Sequence, residues 1–224
     1  MHPDSVRFVP WDTEVFGLPC YEIVRPDNEA LHFATKHPGH YTIKVDPLSG
    51  SKARLHQHGF YYVDTLIEPH CTADRLVHFR HTRCRFGKQV TLEELAPLCE
   101  QSFLHGRFHR DFNIPSQAAD LRYQRWLEQM FDEGEVFGLY FERALAGFIA
   151  CRGGHLTLHA LAREWRGRGL AKYFWSAVCA HLFEQGVEVV RSSISAANLP
   201  VLNVYAQLGF RFADAKDVYH RLVS

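Results

Sequence analysis

The alternation of apolar and polar residues predicts a β-strand over residues 156–161, a span too short for a helix. From Leu170 onward the apolar residues recur three and four positions apart, at Phe174 and Val178 among others, which is the spacing of an amphipathic helix. The four residues 166–169 that separate the two patterns read Arg-Gly-Arg-Gly. The segment is therefore predicted to fold as a strand, a glycine-rich turn and a helix.

This glycine turn has the chemistry of a diphosphate site. The first N–H groups of a helix have no intrahelical partner, and the positive end of the helix dipole lies in the same place. Gly167 and Gly169 would let the backbone approach a ligand closely, because they carry no side chain. From these residues alone, an ordinary turn with solvated arginines remains an alternative.

Similar patterns predict further elements on both sides of this segment. In the first part of the chain we expect a turn at 16–17, strands at 21–24, 41–45 and 60–67, and a helix over 51–58 that Ser51 caps and Gly59 ends. The polar, basic segment 71–88 is interpreted as a linker in preference to a strand. The second part adds a helix from the capping box Thr91–Glu94 through Phe103, a loop over 106–115, a helix over 119–131, strands at 138–141, 148–151, 187–194 and 210–222, and a helix from Asn198 to Gly209.

One helix–strand pattern occurs twice. Residues 55–60 read Leu-His-Gln-His-Gly-Phe, and residues 205–210 read Tyr-Ala-Gln-Leu-Gly-Phe, each followed by an alternating strand. We interpret the chain as an α/β layer structure with an N-terminal lobe in residues 1–75 and a larger domain in residues 76–224. A chance similarity of the two patterns is the alternative, since Gly often ends a helix.

Composition excludes several classes of function. Lys plus Arg equals Asp plus Glu at 25 each, so nothing favours nucleic acid or an anionic membrane as a partner. No apolar run reaches the ~20 residues of a membrane span, and no signal-peptide core is recognisable. The six scattered cysteines are typical of reduced thiols in a cytoplasmic protein. The 15 histidines, including His56, His58, His78 and His81, show no zinc-site spacing, and we predict no metal.

Two motifs resemble the GCN5-related N-acetyltransferases (GNAT). The Gln/Arg-x-x-Gly-x-Gly/Ala turn of that superfamily matches either at Glu164, Gly167 and Gly169, with Glu in the first place, or at Arg166, Gly169 and Ala171. A second motif matches at Asn198, Tyr205, Gly209 and Phe210. The resemblance implies the GNAT fold: an α+β structure whose central mixed, mostly antiparallel sheet is flanked by helices.

The resemblance also implies a site for acetyl-CoA. The pantetheine arm would pair with the strand at Leu158, Ala160 and Leu161. The pyrophosphate would lie on the turn and the helix start, at Arg166, Gly167, Arg168, Gly169, Leu170 and Ala171, and Asn198 is a further candidate for coenzyme binding. Tyr205 would be the general acid that protonates the leaving thiolate, since a phenol has a pKa of ~10. His159 is a candidate general base, and a water relay is equally open.

A narrower resemblance points to the acceptor. Gly106-Arg107-Phe108, followed by Tyr123-x-x-Trp126-Leu127, is similar to a pattern of the dTDP-fucosamine (dTDP-4-amino-4,6-dideoxygalactose) N-acetyltransferases, which take part in cell-surface polysaccharide biosynthesis. The sequence departs from that pattern at Gly106, where the family has Ser, and over residues 111–118. Chemically, Arg107 could pair with a nucleotide diphosphate, and Tyr123 or Trp126 could stack on a base or sugar, although Trp126 also fits the apolar face of a helix.

The function expected from the sequence is therefore acetyl transfer from acetyl-CoA to a nucleotide-linked amino sugar. The alternatives are a GNAT acetyltransferase for another small amine or a protein N-terminus, and a non-catalytic acyl-CoA-binding regulatory module. An intact glycine turn together with Tyr205 argues against the last of these. The sequence does not determine the oligomeric state, and a homodimer is one possibility.

Overall fold

The computed structural model describes residues 2–100, 102–134 and 136–224. Its elements in chain order are β1 (Val6–Phe8), α1 (Pro10–Phe16), β2 (Cys20–Ile23), α2 (Asn28–Lys36), β3 (Gly39–Val45), α3 (Lys52–Gln57), β4 (Tyr61–Thr72), β5 (Cys84–Gly87), α4 (Leu92–Cys99), α5 (Ser116–Asp132), β6 (Val136–Phe141), β7 (Ala144–Arg152), β8 (His155–Leu161), α6 (Ala171–Glu184), β9 (Val189–Ser192), β10 (Ile194–Ser195), α7 (Leu199–Gln207) and β11 (Arg211–Val223).

These residues form two compact units that are interleaved along the chain. Unit 1 contains the residues up to Leu66 together with 105–122 and 215–224, and unit 2 contains Ile67–Leu104 and Tyr123–Asp214. Both units are thus discontinuous in sequence, and the sequence boundary at 75/76 stays a prediction. Among the described residues, every helix is too short or too polar to cross a lipid bilayer.

Unit 1 is a mixed sheet with helices packed on it. Its strand order is β1-β2-β3-β11-β4, and β2 pairs with β3 in parallel while β1–β2 and β3–β11 are antiparallel. The core combines apolar residues of the strands with residues of α2 and α3, including Ile23, Leu31, Tyr41, Ile43, Leu55 and Tyr219, each at most 4% exposed.

Unit 2 is a larger mixed sheet in the order β4-β9-β8-β7-β6-β5, covered on both faces. One core forms under α6 and α7 and contains Leu156, Phe174, Trp175 and Tyr205. The second core lies under α4 and α5 and contains Leu158 and Ala160 of β8. All pairs of neighbouring strands from β5 to β8 are antiparallel, and β8 and β9 are parallel. The predicted α+β class with a mixed, mostly antiparallel sheet is confirmed.

The order of elements from residue 91 onward follows the sequence patterns. The capping box is present, because the Thr91 hydroxyl accepts from the Glu94 N–H while the Glu94 carboxylate accepts from the Thr91 N–H. Asn198 caps α7 through a hydrogen bond that its side chain accepts from Val201. The helix predicted to run through Phe103 ends at Cys99, and the strand predicted over 187–194 is divided into β9 and β10.

Several expectations for the first part of the chain were wrong or incomplete. The segment 71–88 is not only a linker, since Cys84–Gly87 pairs with β6 as strand β5. Ser51 precedes α3 but makes no capping hydrogen bond, because its hydroxyl is bonded to the Ser49 hydroxyl. Helix α2 was missed although Asp27 caps it by accepting from Ala30, a signal that the sequence contains. The short elements β1 and α1 were also missed.

The repeated helix–strand pattern has the same local geometry in both places. Gly59 and Gly209 both adopt positive φ, at 74° and 85°. The Phe60 N–H donates to Leu55 O at 3.0 Å, and the Phe210 N–H donates to Tyr205 O at 3.1 Å. Both patterns end a strand–helix–parallel strand–helix–strand order, which is β2-α2-β3-α3-β4 in the first case and β8-α6-β9-α7-β11 in the second, apart from the short β10. The similarity noted in the sequence is therefore a similarity of folding units.

Gly209 tests how strictly this helix end depends on glycine. A Cβ at Gly209 would lie 2.3 Å from the backbone oxygen of Arg75, whereas a Cβ at Gly186, which has a similar φ of 89°, would meet nothing within 4 Å. We expect Gly186→Ala to lower the free energy of unfolding by about 1–2 kcal/mol through the positive φ alone. Gly209→Ala should lose a further ~1–3 kcal/mol because the Arg75 backbone must move.

Urea unfolding monitored by circular dichroism measures the free energy of unfolding of both variants. Equal losses for the two alanine variants would contradict the steric role of Gly209.

Candidate active site

Strands β8 and β9 are neighbours inside the sheet of unit 2, but they separate after a short stretch of pairing. Strands β8 and β9 pair only at His155↔Arg191 and Leu156↔Ser192 among the described residues. The Ser192 hydroxyl donates to Leu156 O at 2.9 Å and closes this short ladder. Beyond it, residues 157–161 remain paired with β7 on their other side only. Among the described residues, the backbone groups of 157–160 on the β9 side have no strand partner and are therefore available to an extended ligand that pairs like an added strand, whereas Leu161 O accepts from the Arg166 guanidinium.

The predicted glycine turn lies directly after this free edge. Gly167 and Gly169 have φ values of 72° and 69°, and a Cβ at either position would meet nothing within 4 Å. The space beside both glycines is therefore open. Helix α6 begins at Ala171 with Leu170 as its N-cap residue and has no side chain that caps it. The Tyr173 N–H donates to Leu170 O, and the N–H groups of Ala171 and Lys172 at the helix start face no capping side chain among the described residues and can bind an anion.

The two arginines of the turn have different surroundings. The Arg166 guanidinium donates to Leu161 O at 2.8 Å and to the Ser102 hydroxyl at 2.7 Å, and so it links the end of β8 to the segment that follows α4. The Arg168 guanidinium carbon lies 4.9 Å from the centre of the Trp165 ring. Arg166 therefore has a structural role in shaping the turn, which the sequence did not indicate.

The apolar residues that the sequence assigned to coenzyme binding are mostly buried. Leu158 and Ala160 belong to the core under α4 and α5, and Leu170 belongs to the core under α6 and α7. Leu161 and Ala171 are partly buried. Leu158 and Ala160 would thus contact a ligand through their backbone groups. Asn198 serves as the cap of α7, and a contact with the coenzyme stays a prediction.

Tyr205 and His159 form a hydrogen-bonded pair in unit 2. The Tyr205 hydroxyl oxygen lies 3.0 Å from Nε2 of His159, and the His159 ring packs edge-on to Trp175 with 5.2 Å between the ring centres. Burial raises the pKa of Tyr205 well above its ordinary value. Burial lowers the pKa of His159 to about 4. At neutral pH the phenol is therefore protonated and the imidazole is neutral, so the pair contains one donor and one acceptor.

The two residues assigned to the acceptor lie in different units. Arg107 lines a cavity of about 380 Å³ in unit 1, and its guanidinium carbon lies 4.6 Å from the centre of the Phe108 ring. Tyr123 of unit 2 is only 8% exposed and stacks on Phe103 with 4.4 Å between ring centres. Trp126 packs against the same core, as expected.

A buried cluster in unit 1 was not recognised in the sequence. His40 Nε2 and His220 Nδ1 lie 3.1 Å and 2.7 Å from the same oxygen of Asp111, and Asp111 also accepts from the Tyr61 hydroxyl and the Asn113 N–H. Burial would raise the pKa of Asp111, but the hydrogen bonds from the two histidines outweigh it and lower that pKa. Burial lowers the pKa of His220 to about 3. A neutral imidazole can thus donate to an ionised carboxylate without a second buried charge.

The same cluster bears on the prediction that no metal is bound. Among the described residues, His40, Asp111 and His220 are the group whose ligand atoms, all within 4.8 Å of one another, could hold a metal ion. Their sequence separation of 71 and 109 residues from Asp111 matches no zinc motif, so spacing could not have revealed them. The expectation that no metal is bound stays a prediction.

Comparison with known proteins gives one family and a set of similar folds. Residues 113–221 match the family model described as an acetyltransferase (GNAT) domain. No curated protein is similar enough in sequence to match the chain.

Solved structures of GNAT proteins are similar to this chain over most of its length. A GCN5-related N-acetyltransferase from Sphaerobacter thermophilus superposes with a TM-score of 0.67 at 14% identity, covering 97% of this chain and 76% of that one. A tandem GNAT protein from the clavulanic acid biosynthesis pathway gives 0.57 at 18% identity, covering 92% and 76%. A glucosamine N-acetyltransferase region of a fungal multi-domain protein gives 0.55 at 12% identity, covering 81% of this chain and 25% of that one.

The glycine turn can be tested by filling its open space. Gly169 and Gly153 both have positive φ, 69° and 56°, and a Cβ at either would meet nothing within 4 Å of the protein. We expect Gly169→Ala to weaken acetyl-CoA binding at least about 10-fold, because the methyl group occupies the space proposed for the pyrophosphate.

Gly153→Ala carries a similar backbone strain in the β7–β8 turn and should bind acetyl-CoA with unchanged affinity in a calorimetric titration. Equal affinities for both variants would place the phosphate site elsewhere.

Proposed function

We propose that this acetyl-CoA-dependent N-acetyltransferase with the GNAT fold acetylates the amine of a nucleotide-linked amino sugar. The acceptor in this proposal is of the dTDP-4-amino-4,6-dideoxyhexose type. The donor half lies in unit 2, along the free edge of β8 and the glycine turn. We further propose that the reaction takes place in the cytoplasm, in keeping with the six free cysteines.

The acceptor is inferred from Arg107 and its surroundings. Arg107 and Phe108 belong to the segment that resembles the dTDP-fucosamine enzymes, and Arg107 lines a cavity that contains further cationic side chains. A guanidinium pairs well with the oxygens of a diphosphate, which a nucleotide-linked sugar carries. One structurally similar protein is described as acetylating glucosamine, an amino sugar. The role of Tyr123 in stacking on the acceptor would require its ring to leave Phe103.

The chemical step would be a direct transfer. The amine nitrogen attacks the thioester carbon, the C–S bond breaks, and the acetamide and a thiolate form. Tyr205 gives its phenolic proton to the sulfur, which yields free coenzyme A. Backbone N–H groups on the free edge of β8 would stabilise the charge on the thioester oxygen in the tetrahedral state.

His159 would close the proton cycle. The attacking amine must lose a proton, and the neutral imidazole of His159 can accept it, directly or through a water. Because His159 Nε2 lies 3.0 Å from the Tyr205 oxygen, the proton can then return to the phenolate and restore both residues. With a pKa of about 4, His159 is a weak base. It would therefore pass the proton on to the Tyr205 phenolate rapidly and would not remain protonated.

A panel of acceptors tests the substrate class. We expect acetylation of a dTDP-4-amino-4,6-dideoxyhexose with a kcat/KM at least ~100-fold above that of the same amino sugar without its nucleotide, because only the former carries the diphosphate for Arg107. Release of free coenzyme A thiol measures the rate. A peptide N-terminus and a polyamine serve as further acceptors, and a preference for either would contradict the proposal.

Tyr205→Phe tests the general acid. The variant should lower kcat by about 10²- to 10⁴-fold while the dissociation constant of acetyl-CoA stays unchanged, because only the proton donor is lost. Tyr140→Phe is a matched control. Tyr140 lies on β6 of the same unit, and the substitution removes the hydrogen bond that its hydroxyl donates to Gln89 O.

If Tyr205→Phe has the same kcat as Tyr140→Phe, Tyr205 is not the general acid. His159→Gln should keep a hydrogen-bonding partner for Tyr205 but lose the proton relay, and we expect a decrease in kcat there as well.

A further inference from the structure

Trp175 of α6 contributes a buried N–H group that the proposed acetyl transfer does not use. The residue is 3% exposed and packs in the core under α6 and α7, where its ring lies edge-on to the His159 ring. Among the described residues, no hydrogen bond of normal geometry satisfies its Nε1 atom, which is shielded from solvent. Most buried polar groups in proteins do have a hydrogen-bond partner. This indole N–H is therefore an exception that needs a physical reason.

An unsatisfied donor in this position lowers the stability of the fold. A buried N–H that has left water and found no acceptor carries the cost of its desolvation, whereas an apolar ring in the same core would carry none. The neighbouring position of α6 is occupied by such a ring, Phe174, which is also buried in this core. The N–H of Trp175 would be compensated in a state of the protein in which an acceptor becomes available to it.

The Tyr205 hydroxyl oxygen is the acceptor that lies close to this N–H. Burial raises the pKa of Tyr205, whereas the nearby Ser192 hydroxyl and the Trp175 indole each lower it, because a donor beside the oxygen favours the phenolate. The Ser192 hydroxyl already donates its proton to Leu156 O at 2.9 Å. Of these two groups, Trp175 is thus the one whose proton is not committed to another acceptor.

The phenolate of Tyr205 would be a much better acceptor than the phenol. In the resting pair the hydroxyl oxygen lies 3.0 Å from Nε2 of the neutral His159 and can donate its proton there. Once that proton has left for the thiolate, a full negative charge resides on an oxygen of a side chain that is 0% exposed. Hydrogen bonds to a charged acceptor are shorter and stronger than those to a neutral one. The Trp175 N–H would therefore gain most when Tyr205 is ionised.

The proposed acid step needs such a contribution. A free phenol has a pKa of ~10 and a free thiol one of ~8.5, so a proton moves from tyrosine to a thiolate against a free-energy difference. Burial of Tyr205 enlarges this difference, because it disfavours the phenolate. A donor that is already in place for the phenolate reduces it at no cost of reorganisation during the reaction.

We propose that Trp175 is a positioning residue for the acid step, and that its indole N–H donates to the Tyr205 oxygen when the phenolate forms. This inference rests on the proposed function, in which Tyr205 is the proton donor. In that step the O–H bond of Tyr205 breaks, the S–H bond of coenzyme A forms, and the electron pair stays on the phenolate oxygen. Trp175 keeps its own proton throughout, and the phenolate is discharged when His159 returns a proton to it.

Replacement of Trp175 by benzothienylalanine tests the N–H by itself, because this amino acid keeps the fused rings and has sulfur in place of the N–H. We expect kcat to decrease about 10- to 100-fold, with an unchanged KM for acetyl-CoA and no decrease in melting temperature. The acceptor is the amine that the unchanged protein acetylates fastest, so the result does not depend on the sugar assignment. An unchanged kcat would overturn the proposal.

Phe174→Leu is the matched control for a purely structural effect. It removes ring volume from the same helix and the same core but no polar atom. We expect a lower melting temperature with an unchanged kcat, which is the opposite of the result expected for benzothienylalanine at Trp175. If both variants lose kcat in proportion to their melting temperature, Trp175 has only a packing role and the proposal is wrong.

A titration without turnover tests the contact itself. Tetrafluorotyrosine in place of Tyr205 ionises at much lower pH than tyrosine, and the absorbance of its phenolate reports the ionised fraction. We expect benzothienylalanine at Trp175 to raise the pKa of this phenol by about 1, because the phenolate loses a donor. Neither acetyl-CoA nor an amine is required. A phenol pKa that does not change would overturn the proposal, whether or not Tyr205 is the general acid.

A double substitution separates the failure of this inference from that of the proposed function. In the Tyr205→Phe background, benzothienylalanine at Trp175 should cause no further loss of kcat, since the oxygen on which it acts is gone. A further loss of about 10-fold would overturn the proposal. If Tyr205→Phe alone keeps its kcat, the general acid and the use of Trp175 both fall. If Tyr205→Phe loses kcat but the titration is unaffected by Trp175, only the role of Trp175 falls.

Discussion

The donor site that we propose in unit 2 depends on the early end of one parallel strand pairing. In the part of the chain that the structure describes, two residue pairs join β8 to β9, and the next residues of β8 up to Ala160 have no strand partner on that side. Unpaired backbone groups inside a protein are costly unless a partner satisfies them, so an open edge of this kind is retained where a ligand supplies the missing strand. The glycine turn and the start of α6 come after this edge in the chain, and His159, which is hydrogen-bonded to Tyr205, belongs to the edge strand itself.

The sequence predicted the parts of this arrangement that are local. Strand β8, the glycines and helix α6 follow one another within thirty residues, and their alternation, positive φ and 3.6-residue spacing are properties of short segments. The hydrogen bond between Tyr205 and His159 was not predicted, although both were candidates, because it joins residues 46 positions apart. The mutual orientation of two such side chains depends on how β8 and α7 pack, and no local pattern specifies that packing.

Unit 1 was harder to predict for the same reason. The carboxylate of Asp111 lies in a loop without periodicity, and its partners His40 and His220 come from two strands far away in sequence. The cavity in unit 1 likewise combines Arg7, Lys44 and Arg107, of which the sequence marked only Arg107, through its neighbours Gly106 and Phe108. A single sequence shows charges and their spacing, whereas a cavity is a property of several strands in one sheet.

The interleaving of the units also has a consequence for the order of folding during synthesis. Strand β3 pairs with residues 217–223 of β11, so the sheet of unit 1 lacks a central strand until residues near 220 have left the ribosome. Unit 2 needs nothing beyond Asp214. Although unit 1 starts first in the sequence, it would be completed last, and its early strands must wait, partly exposed, for a partner more than 170 residues away.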